Sequence, residues 1–386
     1  MNKSIFLLLL IVAACAKIEK PSEVSKKKMQ PIKEIIIDSL KHPWSMAFLS
    51  EDEVLVSEKD GNLVKVNLIS KEKRIIKGFP RDLTDSIRMI TGGDNSGIFE
   101  VVLDPDFNNN EHIYLSYAAK RKGEGSATKV VRAVLNNDSL TSIKTLLEAG
   151  PFTREYFHYG GGMTFGPDGK LYITMGERLF KEIDEPEIPI AQDLKDKRGK
   201  IYRINPDGSI PDDNPDFGTT AVPGIYAIGI RAAQGITVNT ATGEIWFSEH
   251  GTRQGDEVNR LKPGANYGWP IITTGGYRSK EYYPPKIEGA VYTDPIWYWM
   301  HTVAPTGLLF YTGDEFPEWK NDLLVPGLSR GSLWRFRIEN KIIKSAEELF
   351  VDDRIRSRKI AQSPEGKLYL LTDEPNGKIL RIENNQ

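Results

Sequence analysis

The sequence predicts an all-β chain and, within that class, a six-bladed β-propeller. Six segments repeat one layout, in which an alternating apolar strand, a turn rich in Asp, Asn, Gly or Pro, and a second alternating strand follow one another. The composition agrees, because the chain has 34 Gly, 23 Pro and 10% aromatic residues. No long helical period competes with this pattern.

Each repeat is a β-hairpin, since strands of period two flank a short polar turn. The six hairpins occupy residues 44–58, 98–117, 162–174, 234–248, 306–326 and 359–371. A third strand follows three of them, at 63–66, 199–204 and 378–382. A hairpin cannot bury its apolar face alone, and copies spaced on the order of 50–70 residues apart are typical of propeller blades with insertions. A β-sandwich with long insertions is the alternative architecture.

Composition and charge exclude several classes of protein. With 39% hydrophobic and 27% charged residues in 386, the chain is globular and long enough for a large core. The net charge of −2 argues against nucleic acid as a partner, because such proteins carry a basic face. A single cysteine rules out an internal disulfide and any zinc or iron–sulfur site built on cysteines.

The N-terminus resembles the leader of a bacterial lipoprotein. Lys3 precedes an apolar run at residues 5–14, which is too short to span a bilayer, and Val-Ala-Ala-Cys at 12–15 resembles a lipobox. This pattern predicts a signal peptide at 1–14, lipidation of Cys15, a flexible tether at 15–33 and the propeller at 34–386. The alternative is a plain signal peptide with a chance cysteine.

These features predict a lipid-anchored protein of the bacterial cell envelope, on the outer membrane or the periplasmic face, exported by its signal peptide. Lys17, two residues after Cys15, is not the aspartate linked with inner-membrane retention, which favours the outer membrane.

A propeller binds its ligand at one end of the central channel, so functional residues should lie at strand ends. Two histidines qualify beside glycines, His158 before the third repeat and His250 just after a strand of the fourth. For each, the alternative is a structural histidine. Gly-Leu-Ser-Arg-Gly at 327–331 matches the nucleophile elbow of hydrolases, but a strand-like segment follows where that motif needs a helix.

An acidic loop is a candidate metal site. Residues 255–259 and 266–270 bring two carboxylates and several carbonyl groups into a short stretch, and hard oxygen ligands suit Ca²⁺. A solvated acidic turn is the alternative, and the composition does not separate the two.

The chain resembles the PQQ-dependent soluble sugar dehydrogenases, six-bladed propellers that bind pyrroloquinoline quinone (PQQ) and calcium. The similarity runs from about residue 35 to 382. It is carried by motifs in a specific order at 104–107, 158–161, 231–235, 248–251, 255–257, 266–270, 303–305 and 356–358.

The resemblance implies residue roles in catalysis and cofactor binding. His158 matches the general base that takes the proton of the anomeric hydroxyl, and Arg231 matches the arginine beside the reactive quinone carbonyl. Arg356 and Arg358 match the arginines that bind PQQ carboxylates, and Thr302 matches a polar cofactor contact. Arginine forks suit a cofactor with three carboxylates, and neutral imidazole suits a base near neutral pH.

The resemblance also implies two calcium sites. Gly251 and Thr252 match the residues whose main-chain carbonyls hold the cofactor calcium. Glu257 and Tyr267 match ligands of a separate structural calcium.

The chain departs from the family pattern at several cofactor and substrate positions. The lysine of the blade-five loop is Ser329 here, and the neighbouring Arg330 is a candidate replacement. Asn95 stands where a glutamine is expected and is kept as a candidate cofactor contact. The remaining departures are Phe157, Ala232 and His250.

The resulting functional prediction is oxidation of an aldose at its anomeric carbon to the lactone, with hydride passing to PQQ. The predicted partners are a small sugar and an electron acceptor that the sequence does not identify, with no nucleic acid and with the membrane reached by the lipid anchor only. Two alternatives stay open, a propeller that binds sugar without redox chemistry and a calcium-dependent lactonase.

Overall fold

The computed structural model describes residues 30–83, 96–155, 157–178, 188–277, 279, 283–351 and 353–385. In these ranges 24 strands form six four-stranded antiparallel sheets. The first strand of every sheet packs on the first strands of its two neighbours, which closes a ring. The predicted six-bladed propeller is therefore confirmed.

The strands are numbered β1 to β24 in chain order. Strand β1 is Pro31–Leu40. Blade one holds β2 to β5, at Pro43–Phe48, Glu53–Glu58, Leu63–Asn67 and Lys73–Ile75. Blade two holds β6 to β9, at Ile98–Leu103, His112–Arg121, Gly125–Asn136 and Ser139–Glu148. Blade three holds β10 to β13, at Gly160–Phe165, Leu171–Met175, Lys200–Ile204 and Ile225–Ile228.

Blade four holds β14 to β17, at Ala233–Val238, Ile245–Glu249, Asp256–Arg260 and Trp297–Trp299. Blade five holds β18 to β21, at Leu309–Phe310, Leu323–Pro326, Leu333–Glu339 and Ile342–Leu349. Blade six holds β22 to β24, at Ser357–Gln362, Leu368–Thr372 and Gly377–Asn384. Helix α1, Phe107–Asn110, and a 3₁₀ turn at Pro317–Trp319 lie in hairpin connections, and no described helix has the length and apolar character needed to cross a membrane.

The N-terminal strand completes blade six. β1 pairs antiparallel with β24, from Pro31 opposite Asn384 to Leu40 opposite Gly377, and so joins the two ends of the chain in one sheet. The predicted tether is therefore too long by three residues, because 31–33 already pair with β24. Cys15 and the predicted signal peptide lie outside the described residues.

Hydroxyl groups tie neighbouring blades together. A Ser or Thr on the second strand of a blade donates a hydrogen bond to a carbonyl at the start of the next blade. The pairs are Ser57 with Phe99 O (2.5 Å), Ser116 with Gly161 O (2.5 Å), Thr174 with Ala233 O (2.8 Å) and Ser248 with Thr306 O (2.7 Å). These buried bonds satisfy polar groups that ring closure removes from water.

Antiparallel pairing determines at which end of the ring each connection between strands lies. Hairpins between first and second strands lie at one end of the ring, here named the lower end. Connections between second and third strands, and those between blades, all lie at the opposite, upper end. Apart from Tyr267, which lies between the third and fourth strands of blade four, the described predicted site residues fall in or next to upper connections. The fold therefore gathers them at one mouth of the channel.

Candidate active site

His158 is held by a buried carboxylate. It precedes β10 with a left-handed backbone (φ 47°), and its Nδ1 lies 2.6 Å from Glu177 Oε1. The Glu177 side chain is 1% exposed and follows β11 at the upper end. A carboxylate at this distance accepts the Nδ1 proton, which fixes the imidazole tautomer and leaves Nε2 as the basic nitrogen. The structure thus gives His158 the orientation that a general base requires.

Arg231 lies against the basic nitrogen of His158. Its Nη2 is 3.2 Å from His158 Nε2, and its Nη1 donates to the His250 carbonyl at 3.0 Å. The guanidinium carbon lies 5.1 Å from the centre of the Trp269 ring. The two predicted catalytic residues, from blades three and four, therefore meet directly.

Arg178 stabilises the chain segment that carries His158. Its guanidinium is buried and donates to the main-chain carbonyls of Ser126 (2.8 Å), Glu155 and Phe157 (3.0 Å). The sequence interpretation missed both Glu177 and Arg178. The available signal was their position directly after a second strand, where functional residues were expected.

Asp373 gathers three cations at the junction of blades six and one. Its carboxylate lies 3.0 Å from Arg356 Nη2, 2.7 Å from Arg358 Nη2 and 2.8 Å from Lys59 Nζ. Burial disfavours the charged form of Asp373, but Arg358 and Lys59 outweigh it and hold the pKa well below its ordinary value. The two predicted cofactor arginines are thus brought together, and Lys59 joins them without having been predicted.

Arg358 reaches across the channel beneath this cluster. Its Nη1 donates to Gln234 Oε1 of blade four at 2.5 Å, and its side chain is 2% exposed. The next residue, Lys359, pairs with Glu100 of blade two at 2.8 Å. These contacts between blades that are not direct neighbours in the ring form a polar floor for the upper mouth.

Asp256 holds the loops of blades four and five in place. Oδ1 accepts a hydrogen bond from Gly251 N at 2.8 Å, and Oδ2 accepts from Val303 N and Ala304 N at 2.7 Å each. Within the described ranges nothing donates a hydrogen bond to the carbonyl oxygens of Gly251 or Thr252. Two fixed carbonyls without such donors fit the cation predicted there.

The Thr252 and Thr302 hydroxyls both bond to backbone of the same region, Thr252 to Gly276 O and Thr302 to Arg253 O. Thr302 is exposed at the upper end. The structure therefore places it beside the predicted calcium loop, where a polar cofactor contact was expected.

Buried oxygens cluster around Glu257. Glu249 and Glu257 face each other across β15 and β16. Burial raises the pKa of Glu257, and burial with Glu257 nearby raises the pKa of Glu249 well above its ordinary value. Asn259 Oδ1, two residues along β16, is buried and accepts no hydrogen bond from the described residues. A hard cation would favour the ionised form of both carboxyls and would satisfy the amide oxygen. These groups therefore fit such an ion.

Tyr267 packs its ring on Phe247, and its hydroxyl donates to Arg260 O at 2.6 Å. A calcium ligand at Tyr267 would therefore be its main-chain carbonyl. In the part of the chain that the structure describes, no group of three or more His, Cys, Asp or Glu side chains could hold a metal. An ion here would depend on carbonyl and amide oxygens as well as on Glu257.

Other sequence candidates have structural explanations. Burial lowers the pKa of His250 to about 4, and its Nε2 donates to Pro305 O at 2.8 Å, so this histidine ties two loops together. Arg330 donates to Glu348 Oε1 at 2.9 Å, on the outermost strand of its own blade. Glu348 holds the Arg330 side chain towards the outer strand in this structure, and the role of Arg330 in cofactor binding stays a prediction. The 327–331 segment is a turn between two strands. Asn95 lies outside the described residues.

Comparisons with known proteins agree with this geometry. A family model described as Glucose / Sorbosone dehydrogenase matches residues 40–381. The chain is 31% identical to aldose sugar dehydrogenase YliI of Escherichia coli strain K12, over 99% of this chain and 98% of that protein. It is 28% identical to quinoprotein glucose dehydrogenase B of Acinetobacter calcoaceticus, over 92% of this chain and 88% of that protein.

A solved structure gives the same result. The apo form of the soluble aldose sugar dehydrogenase of Escherichia coli superposes with a TM-score of 0.81 at 30% identity, covering 92% of this chain and 99% of the other. Together with the arrangement around His158, these matches confirm the predicted resemblance and the predicted enzyme class, an oxidoreductase of the sugar dehydrogenase type. The chain belongs to the Glucose / Sorbosone dehydrogenase family.

Proposed function

We propose that this protein oxidises an aldose at its anomeric carbon to the lactone, with PQQ as the electron acceptor. The observation that carries the proposal is the contact series from Glu177 through His158 to Arg231. The names of two relatives support it, an aldose sugar dehydrogenase and a quinoprotein glucose dehydrogenase.

His158 Nε2 is the group that takes the proton of the anomeric hydroxyl. Glu177 keeps the ring in the required tautomer and stabilises the positive charge that the imidazole gains. Arg231 occupies the hydrogen bond at Nε2 in this structure, so its guanidinium has to turn away when a substrate hydroxyl takes that place. The turned guanidinium would then lie beside the oxygen atoms of the reacting groups.

Bound PQQ would supply the quinone that accepts the hydride. Arg356 and Arg358 are the residues proposed to bind its carboxylates, and Thr302 a further polar contact. The carbonyls of Gly251 and Thr252 are proposed to hold a calcium ion beside the cofactor. Glu257 and the Tyr267 carbonyl are proposed to hold a second, structural one.

We also propose that Cys15 anchors the protein in the cell envelope through a lipid. Because β1 begins at the lower end of the ring, an anchor upstream of Pro31 would leave the active-site mouth on the side away from its attachment. Such an orientation would leave the mouth open to an acceptor arriving from solution. Fractionation of wild type and Cys15→Ser tests the anchor, and a wild type without lipid would contradict it.

The test of function is reconstitution with PQQ and Ca²⁺, followed by a panel of aldoses and an artificial dye acceptor. We expect dye reduction that requires PQQ, with the lactone as product. Lactone hydrolysis with calcium and no acceptor would replace the proposal with a lactonase. Sugar binding without dye reduction would replace it with a binding protein.

A further inference from the structure

Among the described residues, the cation cluster at blades six and one carries more positive charge than its one carboxylate neutralises. Lys59, Arg356 and Arg358 surround one carboxylate, that of Asp373. Lys59 and Arg358 are only 8% and 2% exposed. Buried cations are costly unless paired, so a surplus of two positive charges at a channel mouth indicates that an anion belongs there.

Lys59 reaches this cluster from a different blade than the arginines. It follows β3 at the upper end, and among the described residues Asp373 is the partner of its ammonium group. An ammonium has three donors, so this ion pair leaves donors for a ligand. Burial, with Arg358 nearby, lowers the pKa of Lys59 to about 8 against the opposing effect of Asp373. An anionic ligand would favour the charged form of this lysine.

The position of Lys59 also explains a departure from the family pattern. Ser329 stands where the resemblance implies a lysine, and the neighbouring Arg330 pairs outward with Glu348. Blade five therefore supplies no cation to the cluster from these two positions, and blade one supplies Lys59.

We propose that Lys59 is a further cofactor-binding residue, which supplies the third cation for a carboxylate of PQQ in place of the lysine missing at Ser329. This inference rests on the proposed function. Asp373 positions Lys59 together with Arg356 and Arg358, so that the ligand meets three cations held in one geometry.

The experiment measures PQQ binding directly, by equilibrium dialysis with Ca²⁺ present, and needs no turnover. Lys59→Met should weaken binding about 10- to 100-fold, the scale of one charge-assisted hydrogen bond. Its affinity should also depend less on salt than that of wild type. Lys59→Arg should keep most of the affinity, and the matched lysine control Lys344→Met, on the outermost strand of blade five, should bind as wild type does.

A second variant separates binding from charge neutralisation. If Lys59 only balances Asp373, Lys59→Met costs no further affinity when it is added to Asp373→Asn, which would overturn the inference. If Lys59 contacts the ligand, Lys59→Met weakens binding in the Asp373→Asn background as well. Wild-type affinity in Lys59→Met would also overturn it while leaving the proposed function standing. Failure of the wild type to bind PQQ would overturn both.

Discussion

The two halves of the upper mouth are built on opposite electrostatic principles. On the side of blades three and four, one carboxylate and one guanidinium contact the imidazole of His158, Glu177 at Nδ1 and Arg231 at Nε2. On the side of blades six and one, three cations share the single carboxylate of Asp373. Under the proposed function, the first half would move a proton and the second would hold an anion. Substitutions in the two halves should therefore fail in different ways.

The largest effect is expected on the proton-transfer side. His158→Gln removes the base and should slow turnover of the reconstituted enzyme by about 10²- to 10⁴-fold, the usual scale for loss of a general base. Its affinity for PQQ should stay close to wild type, because the cation cluster is untouched. Steady-state kinetics measures the turnover, and equilibrium dialysis measures the affinity for PQQ. The matched control is His112→Gln, whose histidine lies at the lower end of blade two. Loss of PQQ binding in His158→Gln would contradict the predicted separation between proton transfer on one side of the mouth and cofactor binding on the other.

Glu177→Gln should give a smaller loss on the same side. The amide cannot stabilise the imidazolium as a carboxylate does, so we expect turnover to fall about 10- to 1000-fold. The acid limb of the pH profile of kcat/KM should also move to lower pH, because the imidazole loses an anionic neighbour. Glu177→Asp should recover part of the rate. An unchanged pH profile would show that Glu177 has only a structural role.

On the cation side, Arg358→Ala should weaken PQQ binding by about 1.5–3 kcal/mol, since it removes a charged hydrogen-bond donor. Saturating PQQ should then recover much of the rate, in contrast to His158→Gln. Titration of activity with PQQ measures both quantities. A rate that stays low at saturating PQQ would show that Arg358 acts in the reaction as well as in cofactor binding. The two sides of the mouth would then not differ as predicted.

The last prediction concerns stability and the cluster around Glu257, away from the catalytic contacts. The pKa values of Glu249 and Glu257 are raised, so calcium-free protein should lose stability as the pH rises above the ordinary carboxyl value of 4.5 towards those raised values. Calcium should oppose the loss, by about 2.7 kcal/mol at a hundred times its Kd. Thermal melts with and without chelator measure this, and Glu257→Gln should blunt the response while Glu72→Gln should not. Identical melts would exclude a stabilising ion.

The blades could be predicted from local patterns in the amino-acid sequence. Alternation of period two and a turn between the strands are local properties, so all six predicted hairpins appear as the first two strands of the six sheets. The same pattern predicts which end of the ring carries the site, because antiparallel strands place alternate connections at the same end. For this reason His158, Arg231, Arg356 and Arg358 could be located before their contacts were known.

The contacts between side chains of different blades could not be predicted in this way, because they depend on how the ring closes. Closure of blade six by β1 pairs residues from opposite ends of the chain, and no local pattern marks that partner. Glu177 and Lys59 lie in ordinary strand-end positions, and their importance arises from the ring, which brings His158 and Asp373 to them. Arg330 shows the converse, since a nearby carboxylate on its own blade turns it away. Hairpins form from neighbours in sequence, whereas contacts between blades depend on the path of every connection around the ring.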